Sequence, residues 1–350
     1  MKKISVVFAL FAAMIFVVSC GSGSNGNNQN ENPDSGDTDP ADTGDTAADT
    51  LTLGNICTGQ NQYYSNKGEI ITCPSSSSAD FYGQDAQYTS KCTAQSFSSS
   101  SNVVIDNNTG LTWEKSPSSS SYTWDDRATH CNDLNSSNYG GINTWRVPNP
   151  LELLSIVDIS AYFPAINSNF TPTENSPYLW TNNEYKGNTS YVYIFSTSHG
   201  WYYGSDNSIY SKTNIYKVLC VSGEEMKPAV SSDFTTSSDG TIVTDNRTGL
   251  MWQKEYATGK TWLQALKYCE DLTYAGYTDW RLPNKNELAS LVNYEKSGSP
   301  YSYFPDMPSS YFCSSSSHAF YASYAWGVDF ENGNVSHNDK SDSYYVRCVR

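Results

Sequence analysis

Apolar positions recur along this chain in two periods, and the same order of periods occurs twice. Val104-Ile105 and, far downstream, Ile242-Val243 precede polar turns, Asp106-Asn107-Asn108-Thr109-Gly110 and Asp245-Asn246-Arg247-Thr248-Gly249, and a Leu-x-Trp alternation follows each. Asx side chains that bond their own backbone, then a glycine for a left-handed position, predict a hairpin. Leu111, Trp113, Leu250 and Trp252 fall on its inner face. A helical period comes next. Thr123-Trp124-Asp125-Asp126 matches Thr261-Trp262-Leu263-Gln264, with Thr as N-cap and, in the second copy, Gln264 closing a capping box. Trp262, Leu266, Cys269 and Leu272 then form one apolar stripe.

The third block is the most specific. Trp145-Arg146-Val147-Pro148-Asn149-Pro150-Leu151-Glu152-Leu153 matches Trp280-Arg281-Leu282-Pro283-Asn284-Lys285-Asn286-Glu287-Leu288. Asn149 and Asn284 read as N-caps, Glu152 and Glu287 close the boxes, and Pro150 suits the first helical position. Arg146 and Arg281 sit among core residues, which predicts a structural arginine paired to a carboxylate such as the turn aspartate, the alternative being a ligand-binding arginine. Both copies then lose periodicity in long Ser/Tyr-rich loops, the kind that carry function or stay disordered. Tyr162-Phe163-Pro164 in one corresponds to Phe304-Pro305 in the other. Each copy closes on a strand, Tyr216 to Val221 or Tyr344 to Val349.

Outside the repeat, Lys2-Lys3, an apolar run from Ile4 to Val18 and Val17-Val18-Ser19-Cys20 resemble a lipoprotein signal that acylates Cys20, the alternative being an ordinary secretory signal or a short membrane anchor. Gly21 after it resembles proteins sorted to an outer membrane, so a lipid-bilayer partner and a Gram-negative envelope location are expected. Residues 21–50 hold seven acids and no aromatic or basic residue, a disordered tether. The expected order is a signal peptide over 1–19, tether over 20–50, disulfide-containing segment over 51–101, and domains over 102–223 and 232–350.

Charge and composition narrow the function. With Lys2, Lys3 and the tether acids set aside, the body carries 19 basic and 29 acidic residues, net −10. That argues against nucleic acid and gives no general attraction to anionic polysaccharide. The chain has 27 Tyr, 9 Trp and 4 His, and tyrosine-, serine- and asparagine-rich loops suit recognition. Trp201, Tyr202, Tyr203, Tyr321, Tyr324 and Trp326 are the candidate ligand-binding residues. With Cys20 acylated, eight cysteines remain. The repeat pairs Cys131 with Cys220 and Cys269 with Cys348, and Cys57 and Cys73 are expected to pair locally. For Cys92 and Cys313 a bond and two free thiols are the alternatives.

The order of hairpin with DNxTGLxW, helix with YCxxL, WRxPNxxEL, long aromatic loops and terminal RCV resembles the Lcl C-terminal domain family, across both copies. The resemblance implies an α+β fold: two tandem C-type-lectin-like domains, each with two helices and small twisted antiparallel sheets, and binding through the long loops. Val147-Pro148-Asn149 and Leu282-Pro283-Asn284 lack the glutamate of calcium-dependent sugar-binding lectins. No cofactor is expected, with Asp329, Glu331 and Asn334 as the oxygen set that calcium would use. No metalloprotease, nucleophile-elbow or phosphate-loop motif is present, and the four histidines are scattered. The expected function is therefore a surface-tethered binding or adhesion module for a glycan or protein, not an enzyme. The alternatives are a structural envelope protein and, further off, a relative of sulfatase-modifying oxidases.

Overall fold

A computed structural model describes residues 52–172, 178–200, 202–203 (backbone only) and 211–350. The signal peptide, Cys20, the tether and Trp201 lie outside the described residues.

The segment before the repeat holds a short hairpin, β1 (Tyr63–Tyr64) with β2 (Ile70–Ile71). It is a brace more than a domain. Asn286 Nδ2 donates to Ile56 O at 2.9 Å and Gln60 Nε2 to Ser317 O at 2.7 Å in copy two. Gln95 Nε2 donates to Val157 O at 2.7 Å in copy one.

Copy one opens with β3 (Phe97–Ser99), β4 (Val103–Asp106) and β5 (Thr112–Glu114), and its terminal strand β9 joins them in one sheet. Between lie α1 (Ala128–Ser136), α2 (Pro150–Ser155), β6 (Tyr178–Glu184), β7 (Val192–Ser196), β8 (Tyr202–Tyr203) and then β9 itself (Val221–Ser222). Copy two repeats the order with β10 (Phe234–Thr236), β11 (Ile242–Asp245), β12 (Met251–Gln253), β13 (Ala257–Lys260), α3 (Trp262–Glu270), α4 (Lys285–Ala289), β14 (Tyr311–Ser317), β15 (Tyr324–Asp329), β16 (Asn334–Asp339) and β17 (Tyr344–Val346). These are two α+β units with two helices each, as the repeat predicts. The hairpin tryptophans Trp113 and Trp252 are fully buried. The capping boxes at Asn149/Glu152, Thr261/Gln264 and Asn284/Glu287 all form. Thr123 departs from the pattern. Its hydroxyl bonds the Asp126 side chain, Arg127 lies 3.5 Å over the Trp124 ring, and α1 starts only at Ala128.

Each capping glutamate has a second duty. Arg281 donates two bonds to Glu287, at 2.7 and 2.6 Å, with both side chains buried. Arg146 does the same with Glu152 at 2.8 and 2.5 Å. The arginines are thus structural, and their partner is the glutamate of their own motif rather than the turn aspartate, because the box already aims that carboxylate at the helix start. Bidentate pairing fixes the strand-to-helix corner as one rigid unit.

The disulfides Cys131–Cys220 and Cys269–Cys348 form as expected, each tying a helix to the closing segment of its copy, beside the terminal strand. The other pairings differ from expectation. Cys57 bonds Cys92, with Cα atoms 5.1 Å apart, because Cys57 N donates to Thr93 O and Thr93 N to Asn55 O, laying the two segments side by side. Cys73 is disulfide-bonded but not to Cys57. Cys313 is a buried thiol rather than a staple. It stands on β14 where copy one has Trp180, inside the apolar core of copy two, while Cys92 is taken by Cys57. Burial pushes its thiol up to about 12.

Two outcomes follow. Glu287→Ala leaves Arg281 charged and buried without its partner and should cost about 3–5 kcal/mol in denaturant unfolding. Glu152→Ala should cost less, since Arg146 is about a quarter exposed. Equal losses would contradict the account. Maleimide should label Cys313 only after unfolding; labelling of the native protein would place the thiol elsewhere.

Candidate functional site

The two copies share one sheet. Its strand order is β13-β17-β14-β15-β16-β8-β7-β6, so β16 of copy two meets β8 of copy one edge to edge. The joining pair is Val335 with Tyr202, antiparallel. Register shows these to be equivalent residues. Tyr178 pairs with Ser196 and Tyr311 with Asp329; Phe195 pairs with Tyr202 and Val328 with Val335. Every correspondence has the same offset, so the seam is self-complementary, like an interface across a two-fold axis.

On either flank of the seam a loop of one copy touches the turn of the other. On the first flank the contacts are tyrosines: Tyr193 Oη donates to Asn332 O at 2.7 Å, Tyr185 stacks on Tyr301, and Tyr193 meets Tyr294 edge-on. On the second flank they are histidines. His199 of copy one and His318 and His337 of copy two converge, with ring centroids 5.9 Å apart for His199–His318 and 4.3 Å for His318–His337. Three of the four histidines that look scattered in sequence therefore meet.

Above them lies a continuous exposed aromatic patch built by both copies. Tyr162, Phe163, Phe320 and Tyr321 are 48%, 46%, 45% and 45% exposed. Phe320 lies 5.0 Å from Tyr162, 5.4 Å from Phe163 and 4.7 Å from Tyr321. His199 joins them from below, edge-on to Phe163 and stacked on Tyr321. Phe163 adopts φ +50°, a costly backbone region for a bulky residue, and its N–H is held by Ser198 O at 2.8 Å.

Phe163 is not the ring that packs against the hairpin tryptophan of copy one. In copy two, Phe304 packs 6.2 Å from Trp252 and 5.3 Å from Phe234. In copy one the same slot, 6.1 Å from Trp113 and 5.9 Å from Phe97, is filled by Phe170. The Tyr-Phe-Pro segment of copy one matches Ser299-Pro300 rather than Phe304-Pro305, and Phe163 stands at the surface where copy two has the exposed Ser299.

Of the sequence candidates, Tyr321 belongs to the patch. Tyr324 lies at its margin, edge-on to His337 at 5.5 Å. Trp326, expected on a loop, is on β15, 1% exposed and stacked under His318. Tyr202 and Tyr203 form β8, where Tyr202 pairs across the seam with Val335 and Tyr203 pairs with Ile194 of its own copy. Asp329, Glu331 and Asn334 shape the β15–β16 turn, where Asp329 accepts from Glu331 N and Asn332 Nδ2.

A second convergence is Glu114, His130 and Cys220, whose ligand atoms lie within 4.8 Å of one another. Cys220 is disulfide-bonded and offers no thiolate, and His130 Nε2 contacts both Glu114 oxygens at 2.8 and 3.0 Å. The matching positions in copy two are Gln253 and Tyr268, bonded at 2.9 Å. Both pairs tie the first sheet to the cysteine helix, which is a structural task.

Among the described residues, no helix is long and apolar enough to cross a membrane. The family model described as Lcl C-terminal domain matches residues 102–222 and 241–350. No curated protein matches the sequence.

The histidine flank sets a pH dependence. Burial, then the neighbouring imidazoles, push His318 down to about 2 and His337 down to about 4. Unfolded imidazoles protonate near 6.5, so below that pH the unfolded chain binds more protons and stability falls. Asp85, pushed up to about 6 by burial, acts oppositely, since there the folded state holds the extra proton. Of these three groups the two imidazoles outweigh the one carboxyl, so stability should fall as pH drops from 6 to 4.5. Urea unfolding at stepped pH checks this; constant or rising stability over that interval would contradict it.

Proposed function

Because the chain belongs to the Lcl C-terminal domain family through both of its copies, we propose that it is a binding module whose ligand rests on the aromatic patch across the seam. The observation that carries this reading is the gathering of Tyr162 and Phe163 of copy one with Phe320 and Tyr321 of copy two, each about half exposed. Copy two has the exposed Ser299 at the place of Phe163, so the fold does not require a ring there. Four half-exposed rings are gathered in one place, and contiguous exposed apolar patches mark interaction sites.

The ligand class that fits is a glycan without dense negative charge. The patch rings offer flat apolar faces, two of them bear hydroxyls, and Ser160 and Ser323 flank them in sequence. The body's net charge of −10 disfavours polyanions. Acylated Cys20 and the acidic tether would hold this surface away from an outer membrane. The structural envelope reading draws on a different observation, the shared sheet and the burial of Trp326. In that reading the copies form one rigid block with no soluble ligand. Catalysis has no comparable support, since the Glu114–His130 pair is matched by Gln253–Tyr268.

Glycan and protein arrays with the purified full chain, with and without calcium, test the proposal. Binding to neutral glycans is expected, and Phe163→Ala with Phe320→Ala should weaken it about 10- to 100-fold, the loss expected for central aromatic contacts. Absence of any glycan ligand, or a ligand indifferent to both substitutions, would overturn the reading. A protein ligand sensitive to them would keep the patch and overturn the glycan class.

A further inference from the structure

We propose that His318 is an acid-operated release for the aromatic patch: its imidazole holds the turn that carries Phe320 and Tyr321, and protonation lets that turn go. The ligand consequence rests on the patch reading above; the conformational step does not.

The geometry is specific. The backbone N–H groups of Phe320 and Tyr321 both donate to His318 Nδ1, at 3.2 and 3.0 Å. Nδ1 must therefore keep its lone pair, and the ring's one proton sits on Nε2, which is buried without a hydrogen-bond partner. A second proton has only Nδ1 to occupy. There it would face two N–H donors, so both bonds must break and the two residues that supply half the patch lose their anchor.

Among the described residues, no compensating anion faces the ring. The groups around it are His337 from β16, His199 from the copy-one turn, Tyr321 from the loop itself and Trp326 from β15. Beyond these, Tyr324 meets His337, and Lys285 Nζ lies 5.7 Å from the Trp326 ring centroid. From the N-terminal segment, Asp85 accepts from Ser316 and Thr58, and Gln60 bonds Ser317. His199 Nε2 and His337 Nδ1 are also buried and unpartnered. A charge on any of the three rings would sit beside two other imidazoles, and His318 is pushed well below its ordinary range by that burial and proximity. A three-imidazole metal site would need His318 to ligate through Nε2 while Nδ1 stays an acceptor. That is an imidazolate, so the acceptor geometry favours the proton switch.

Hydrogen exchange of the full chain, read on peptides covering 318–324 at pH 7.5 and 4.5 and scaled for intrinsic chemistry, tests the step. A group that protonates near 6.5 once free should raise the opening equilibrium about 100-fold over that interval. The loop over 185–191 on the tyrosine flank should not respond. His318→Asn keeps a side-chain acceptor but cannot titrate; it should exchange like the unsubstituted chain at pH 7.5 and lose the acid response. Its exchange at pH 7.5 also reports whether the variant holds the turn. Should it fail to, imidazole resonances of the unsubstituted chain decide. His318 is expected to stay neutral until the turn opens, and protonation near 6.5 with the turn closed would overturn the proposal. Acid opening of only the global kind, or an equal response in His318→Asn, would do the same. Acid opening with ligand binding unchanged would leave the release standing and the patch reading refuted.

Discussion

An edge strand exposes a row of unpaired backbone groups, and each copy taken alone would end in one, β8 in the first and β16 in the second. The pairing of Val335 with Tyr202 closes both at once. The edges are equivalent in sequence position, so joining them is self-complementary, and the duplicated unit supplies its own partner. The main apolar core follows the sheet across the boundary. Trp113, Leu151 and Tyr193 of copy one pack in the same core as Trp252, Leu288 and Val335 of copy two. Residues 55–99 stitch both sides from outside, and Asn293 reaches back to Ala229 O in the connection. The seam is thus interior in everything but its two flanks.

Those flanks start alike and differ in chemistry. Tyr193 and Trp326 occupy equivalent positions at the foot of each, yet one is surrounded by tyrosines and the other by imidazoles. Divergence between the copies is concentrated where the symmetry of the sheet brings non-equivalent loops together. This gives a physical reason for a duplicated fold to carry one site: the patch needs Phe163 from the first copy and Phe320 from the second.

Much of the scaffold was legible from residue order. The turns, the Asn-x-x-Glu boxes and the two disulfides of the repeat came from periodicity and from comparing one copy with the other. The arginine partner was visible too, three residues past each N-cap, but a box glutamate was credited with a single role. The Cys57–Cys92 bond was not legible, because it depends on two irregular segments lying parallel. The seam was hidden for the same kind of reason, since strand alternation says which face is buried and nothing about which edge is met. One clue to the patch did lie in the spacing. Counting back from the following strand, Phe170 stands eight residues before Tyr178 and Phe304 seven before Tyr311. Phe170, not Phe163, is the spatial counterpart of Phe304, and Phe163 matches the exposed Ser299 instead. Trp326 misled because a tryptophan in a Ser/Tyr-rich stretch reads as a loop anchor when it is in fact a strand residue with a histidine as its lid.

The central claim is that the two copies are one folding unit joined through the sheet, and cooperativity of unfolding tests it most directly. Equilibrium denaturation should be followed by hydrogen exchange on β7 of copy one and β15 of copy two in the same sample. A shared sheet and core predict that both strands open in a single transition with one midpoint and one slope. Two separated transitions, with either copy retaining its protection after the other is lost, would show the copies to be independent domains and would contradict the account.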